Sequence, residues 1–136
     1  FDLLDQSPEQ ILSKSLIAEN KLNKLIDEVK ENNNLTAGQI AISGFSQGCM
    51  ISLQTGIKRK DKINSIIGYS GKIINVDHLE KNLFSKPNIL LMHGDSDQVV
   101  TIDGFLEAKK FIQLKYPDKS KTTVAGRIPF FMECFN

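Results

Sequence analysis

The chain has 136 residues, of which 40% are hydrophobic, and its 17 basic and 16 acidic residues leave a formal net charge of +1. A chain of this length forms one domain and can bury about two-thirds of its unfolded surface. The balanced charge argues against nucleic acid as a partner, and no apolar stretch is long enough to span a membrane. We therefore expect a cytoplasmic globular domain without a transmembrane segment.

Residues 8–31 have the pattern of a long amphipathic helix. Ser7 is the predicted N-cap, Pro8 the first helical residue, and Gln10 completes a capping box. Apolar residues then recur at spacings of three and four, namely Ile11, Leu12, Leu16, Leu22, Leu25, Ile26 and Val29. The asparagines at 32–34 end the helix. A coiled-coil partner helix is the alternative, but the stripe is only about three heptads long and strands follow it.

Residues 39–50 carry the most informative pattern in the chain. An apolar, β-prone run meets Gly44-Phe45-Ser46-Gln47-Gly48, a G-x-S-x-G pentapeptide that passes directly into helical spacing. This context predicts a nucleophile elbow with Ser46 as the nucleophile and with Gly44 and Gly48 where strand and helix approach closely. The Gln47 backbone N–H is placed at a helix start, where it can stabilise an oxyanion. The alternative is a glycine-containing turn whose serine only caps a helix.

The rest of the chain alternates between helices and strands. A helix is predicted after the elbow, ending in a solvated charge run at 58–62. A short strand follows at 63–68, then a polar stretch at 72–86 that we interpret as a loop rather than a substrate entrance. A continuously apolar strand at 87–92 and a helix at 103–115 complete the pattern. This alternation predicts a parallel sheet with right-handed crossovers.

Taken together, these motifs resemble the carboxylesterase/phospholipase branch of the α/β-hydrolases, which includes the acyl-protein thioesterases. The resemblance rests on the elbow, on Ser70-Gly71 after the next strand, and on the stretch from His93 to Val100. Cys49 stands where that family usually has a further glycine. The resemblance implies a partial α/β-hydrolase fold, mostly a parallel sheet with helices on both faces. It also implies a small acyl ester or thioester substrate, with no cofactor or metal.

The stretch 93–100 resembles the family motif H-G-x-x-D-x-V-V, which implies that Asp97 is the triad acid. Its neighbour Asp95 is the competing candidate, and we assign Asp95 to an Asx-type turn. The only histidines are His78 and His93, and both precede the acid, whereas the triad histidine follows it in these enzymes. We predict that His93 hydrogen-bonds its loop and that His78 is simply exposed.

The family motif G-x-G-H, which supplies the histidine, has no counterpart in this sequence. Residues 121–126 could be the strand that leads to it, but Arg127 to Phe130 stand where the histidine should fall. We therefore predict an incomplete hydrolase domain at 1–117 and a divergent tail at 118–136, arising from a premature end or a shifted reading frame. The chain begins with Phe1, which indicates processing or a piece of a longer protein.

The sequence supports three functional predictions. The leading one is a serine hydrolase of carboxylic ester or thioester bonds, impaired because no triad histidine is found; the alternative is a non-catalytic remnant or binding module. Cys49 as the nucleophile is a weak third possibility, because Cys49 and Cys134 are best interpreted as buried, free thiols. A sheet without its first strands would leave an exposed edge and an uncovered apolar helix face, which predicts self-association.

Overall fold

A computed structural model describes residues 6–117. The predicted features at residues 1–5 and 118–136, including the segment 121–130 and Cys134, lie outside the described residues. The first element is helix α1, Pro8–Asn33. The predicted capping box is present, because Ser7 Oγ accepts the Gln10 N–H at 3.2 Å and Gln10 Oε1 accepts the Ser7 N–H at 2.9 Å. Asn34 ends the helix in the left-handed conformation with φ of 51°.

Three parallel strands form the sheet, in the order β1-β2-β3. They are β1 (Ala41–Phe45), β2 (Ser65–Tyr69) and β3 (Asn88–Met92). The register places Gly44 beside Gly68 and Gly68 beside Leu91. The parallel α/β architecture predicted from the sequence is therefore confirmed. The first strand begins two residues later than expected, because Ala37–Gln39 form a short 3-10 helix.

Two helices cover the sheet and form the core with it. Helix α2 spans Gln47–Lys58 and is buried continuously from Cys49 to Ile57. Helix α4 spans Ile102–Lys115. The largest fully buried side chains of the core are Phe105, Met50, Leu53, Ile57, Ile63, Ile66, Leu91 and Ile112. No helix within residues 6–117 is long and apolar enough to cross a bilayer.

The predicted loop at 72–86 contains a short helix, α3 (Val76–Glu80), so the sequence interpretation was wrong there. Asn75 is its N-cap and accepts the His78 N–H through Oδ1 at 2.9 Å. Leu79 is 2% exposed and joins the core. A single buried leucine in five residues is too little to produce a periodic pattern, which is why the helix was not recognised.

Helix α1 contacts α2 through polar side chains. Gln54 Nε2 donates to Glu19 Oε2 at 2.7 Å and to Ser15 Oγ at 3.1 Å, and Lys58 pairs with Glu19 at 2.9 Å. Apolar residues of α1 are exposed instead: Ile17 58%, Leu25 54% and Val29 37%. The predicted helix is confirmed, but only part of its predicted apolar stripe is buried.

Candidate active site

Ser46 occupies a strained turn between β1 and α2. Its backbone has φ of 55° and ψ of −116°, which a non-glycine residue rarely adopts and which costs on the order of 1–3 kcal/mol. The Ser46 N–H donates to Tyr69 O at 2.8 Å, and Ser46 O accepts the Met50 N–H at 3.2 Å. The serine is thus held by the neighbouring strand on one side and by the first turn of α2 on the other.

The two elbow glycines differ in what surrounds them. A Cβ added to Gly44 would lie 2.2 Å from Gly48 C and 2.3 Å from Gly48 O, so β1 and α2 touch through backbone atoms. Apart from its chain neighbours and its own helix backbone, a Cβ added to Gly48 would meet no atom of residues 6–117 within 4 Å. Close approach therefore explains the glycine at 44. The same explanation, which we expected for Gly48, does not hold among the described residues.

Residues after β2 support the elbow from the side. Ser70 also has a positive φ, 52°, and its N–H donates to Met92 O at 2.9 Å. A Cβ on Gly71 would lie 3.1 Å from Ser46 O and 2.5 Å from Cys49 Sγ, so the turn packs against the elbow. Sequence reasoning noted Ser70-Gly71 only as a resemblance. The unusual backbone at Ser70 has no signal in the sequence beyond the following glycine.

The side chain of Cys49, in the first turn of α2, packs against the end of β2. The residue is 1% exposed, and a Cβ on Gly68 would lie 2.4 Å from its Sγ. Burial raises the pKa of the Cys49 thiol to about 12, and a hydrogen bond with the Gly71 backbone opposes the rise only partly. A thiol of such high pKa has almost no thiolate at neutral pH. The geometry therefore supports the interpretation of Cys49 as a packed hydrophobe rather than a nucleophile.

Asp97 lies in the loop that follows β3, and its carboxylate is held in one orientation. Its Oδ1 accepts the N–H groups of Val99 at 2.9 Å and Val100 at 3.0 Å. Its Oδ2 makes no hydrogen bond within residues 6–117, and its nearest ionisable partner there is His93 Nε2 at 3.9 Å. One oxygen thus fixes the loop, while the other remains able to accept a further hydrogen bond. The neighbouring Asp95 is exposed, and within residues 6–117 its hydrogen bond is from the Ser96 hydroxyl. The Asx-type turn that we assigned to Asp95 is formed by Asp97 instead, so that assignment was wrong.

His93 is bound to the loop that follows β3 and contains Asp97, which we call the acid loop. It is 2% exposed, its Nε2 lies 2.6 Å from Val100 O, and its ring lies 5.4 Å from that of Phe105. Because a carbonyl only accepts, Nε2 carries the proton and the histidine holds the loop, as predicted. Its Nδ1 is buried without a hydrogen-bond partner in the part of the chain that the structure describes. The imidazole is therefore held by its own loop through Nε2 and by packing on Phe105.

His78 lies at the opposite end of α2 from the elbow. Its Nε2 is 2.9 Å from Lys58 Nζ, twelve residues and about 18 Å of helix away from Ser46. Burial and the charge of Lys58 lower the pKa of His78, with Glu19 opposing them. The residue is half-buried, so the expectation that it is simply exposed was wrong. His78 is therefore not placed as the base of Ser46.

Comparisons with known proteins agree with this geometry. Residues 1–130 match the model of the phospholipase/carboxylesterase family. Acyl-protein thioesterase 1 of Yarrowia lipolytica is 35% identical over 101 residues, which cover 71% of this chain and 44% of that protein. Acyl-protein thioesterase 1 of Saccharomyces cerevisiae is 35% identical over 118 residues, which cover 83% of this chain and 52% of that protein.

Solved structures show the same architecture. The crystal structure of esterase PE8 superposes with a TM-score of 0.83 at 28% identity and covers 93% of this chain and 58% of its own. The crystal structure of Arabidopsis thaliana SOBER1 gives a TM-score of 0.70 at 19% identity, over 85% of this chain and 53% of its own. The fold is thus that of an α/β-hydrolase. The chain belongs to the phospholipase/carboxylesterase family, and it spans about half the length of the curated relatives it matches.

Proposed function

We propose that this chain carries the nucleophile and acid of a serine hydrolase that cleaves carboxylic ester or thioester bonds. The observation that carries the proposal is the backbone of Ser46, at φ of 55° and ψ of −116° between β1 and α2. That conformation lifts a hydroxyl to the tip of a strand-to-helix turn, where a substrate carbonyl can reach it. A serine that merely capped the helix would use its side chain as an acceptor, and Ser46 makes no such bond.

Each site residue has a separate role in this proposal. Ser46 Oγ attacks the acyl carbon while a histidine takes the hydroxyl proton. The oxyanion that forms is held by the backbone N–H of Gln47, the first residue of α2, where the helix dipole also favours negative charge. Asp97 Oδ2 accepts the other imidazole N–H and fixes its tautomer. The alcohol or thiol leaves with the proton, and water then releases the acid from Ser46.

The positions of the two histidines favour impaired activity for the sequence as given. Loss of one triad member costs about as much as loss of the whole triad, on the order of a million-fold in turnover. The alternative function is a non-catalytic hydrolase remnant or binding module that keeps the elbow. The two differ in whether the Ser46 hydroxyl still reacts when a base is supplied.

A fluorophosphonate probe tests the proposal, with labelling read by intact mass in the presence and absence of added imidazole. If the elbow is preorganised and only the base is missing, free imidazole should accelerate labelling by about ten-fold or more, within the usual contribution of a general base. Ser46→Ala should abolish this labelling. Ser13→Ala is the matched control, because Ser13 is an exposed serine on helix α1, and it should label like the wild type.

The possible outcomes separate the two functions. Labelling of wild type that Ser46→Ala leaves unchanged would overturn the nucleophile assignment. A folded chain that never labels, with or without imidazole, would favour the binding module. Rapid labelling without imidazole would show that a histidine reaches Ser46 after all, and the prediction of impaired activity would be wrong while the hydrolase assignment stood.

The substrate proposal comes from the relatives. The two fungal proteins described above are named acyl-protein thioesterases, which favours the thioester bond of an acylated protein as the bond cleaved. Carboxylic esters and phospholipids require the same nucleophile and acid, so competition assays with the three bond types would rank them. We propose a cytoplasmic location on the same likeness.

Self-association through the sheet edge is a separate proposal. Within the described residues β1 pairs with β2 alone, and Phe45 at its end is 44% exposed. The exposed apolar residues of α1, Ile17 and Leu25, add to the apolar surface. Unpaired edges and apolar patches of this kind promote association. Sedimentation velocity should show dimers or larger species, and a cooperative monomer would contradict the proposal.

A further inference from the structure

Phe84 is a large apolar side chain exposed in the loop between α3 and β3. It is 57% exposed, although the chain around it is firmly attached. The backbone N–H groups of Phe84 and Ser85 donate to Ile57 O at 3.2 and 3.1 Å, which fixes the loop to the last turn of α2. Its exposure is therefore part of a defined surface rather than a frayed end.

Four exposed lysines lie on the segments that lead to β2 and, from α3, to β3, and we call Lys60, Lys62, Lys81 and Lys86 the basic patch. Lys60 Nζ lies 6.0 Å from the centroid of the Phe84 ring. Lys62 precedes Asn64 by two residues, and Lys86 precedes Asn88 by two residues. The Asn88 N–H donates to Asn64 O at 3.1 Å, so the two segments that carry these lysines run side by side into β2 and β3. Lys81 is the C-cap of α3 and precedes Phe84 by three residues.

Two carboxylates beside the basic patch are paired with other cations, whereas the exposed Asp77, one helical turn before Lys81, makes no ion pair among residues 6–117. Asp61 pairs with Arg59 at 2.8 Å and with Lys30 at 2.6 Å, and Glu80 pairs with Lys115 at 2.5 Å. Among residues 6–117, no lysine of the basic patch makes an ion pair. The patch therefore presents unpaired positive charge near one exposed aromatic side chain.

We propose that the basic patch and Phe84 dock the chain on an anionic lipid surface. Lysines near such a surface strengthen binding by about five-fold each, and an apolar side chain that enters the headgroup layer adds to this. The composition favours lipid over an acidic protein, because protein interfaces are depleted in lysine and enriched in arginine. The proposal stands independently of whether Ser46 is catalytic.

The orientation of docking follows from the sheet. The basic patch lies before β2 and β3, at the N-terminal ends of the strands. Ser46 and Asp97 follow β1 and β3, at the C-terminal ends. The strands are five residues long, so their two ends lie about 17 Å apart. A chain docked through the patch would therefore present its elbow away from the lipid.

Vesicle flotation tests the proposal, because aggregated protein stays at the bottom of the gradient. The full chain should float with vesicles of phosphatidylcholine that contain about 30% phosphatidylserine, and not with phosphatidylcholine alone. Lys62→Gln combined with Lys86→Gln should weaken binding about 25-fold. Phe84→Ser should weaken it about ten-fold. The matched control is Lys21→Gln combined with Lys24→Gln on α1, which changes the net charge equally and should bind like the wild type.

Several results would overturn the proposal. Failure of the wild type to float, or equal flotation with neutral vesicles, would refute docking on an anionic surface. Binding that persists in about 0.5 M salt, where surface charges are screened, would also refute it. An equal loss of binding in the Lys21→Gln/Lys24→Gln control would show that only the net charge matters. Binding of polyglutamate that depends on Lys62 and Lys86, without flotation, would assign the patch to an acidic protein. Circular dichroism must match the wild type, and each single lysine variant replaces the pair if the double variant misfolds.

Discussion

The contact between Gly44 and the first turn of α2 gives a sharp test of the elbow. In Gly44→Ala the new Cβ would lie 2.2 Å from Gly48 C, whereas carbon atoms pack at about 3.5 Å, so strand and helix must separate by about 1.3 Å. Both contacting atoms belong to the backbone of the first turn of α2 and cannot rotate away. We expect a loss of about 3 kcal/mol in the free energy of unfolding, the upper part of the range for overpacking.

Gly48→Ala is the matched control for this substitution. Apart from its chain neighbours and its own helix backbone, a Cβ there meets no described atom within 4 Å, and Gly48 is helical with a negative φ. Replacing a helical glycine by alanine should therefore stabilise the chain by up to about 1 kcal/mol. The two variants carry the same added methyl group within four residues of each other, so they differ mainly in packing.

Urea unfolding followed by circular dichroism measures both changes. On heating, Gly44→Ala should melt about 10 °C below the wild type, and Gly48→Ala at or slightly above it. Equal destabilisation by the two substitutions would refute the reasoning, because it would show that both glycines are sterically required. A neutral Gly44→Ala would show that β1 and α2 are farther apart than the structure indicates.

Two further predictions concern ionisable groups. Hydrogen bonding from Arg59 lowers the pKa of Asp61 to about 2, so this carboxylate stabilises the fold above about pH 4 and the stabilisation disappears as the pH falls towards 2. The stability difference between wild type and Asp61→Asn in urea should therefore shrink from about pH 5 to about pH 2.5; a constant difference would contradict it. In a Cys134→Ser variant, Cys49 should react with Ellman's reagent at about pH 8 only when urea unfolds the chain, and fast reaction of the folded chain would contradict its burial.

The elements that local chemistry specifies could be predicted from the sequence. The capping box of α1 needs only Ser7, Pro8 and Gln10, and the parallel sheet follows from short apolar runs that alternate with helices. The strand-turn-helix context of Ser46 also follows from neighbouring residues. The cap and the elbow depend on contacts within a few positions, and the strands show as local apolar runs, so a sequence pattern records both directly.

Features that depend on contacts between elements could not be predicted in the same way. Periodicity identified α1 as a helix but placed Leu25 on its buried face, whereas Leu25 is 54% exposed and Glu19 is 7% exposed. Glu19 is buried because Gln54 and Lys58, 35 and 39 residues away, supply its hydrogen bonds. The open space around Gly48 likewise depends on packing and has no counterpart in the motif.

The hydrogen bonds at the ends of the strands explain how Ser46 is held relative to the rest of the sheet. The Ser46 N–H donates to Tyr69 O, the last residue of β2, and the Ser70 N–H donates to Met92 O, the last residue of β3. The end of β2 therefore fixes the residue that follows β1, and the end of β3 fixes the residue that follows β2. Ser46 and Ser70 both have positive φ, so a second strained turn lies beside the elbow.

The same series of bonds continues from β3 into the acid loop. His93 directly follows the last residue of β3 and bonds Val100 O, and the Val100 N–H donates to Asp97 Oδ1. Ser46 and Asp97 are therefore positioned by one continuous network, across two strand spacings or about 10 Å. Because the register of the strands sets this separation, the catalytic arrangement that we propose depends on β2, although β2 contributes neither Ser46 nor Asp97.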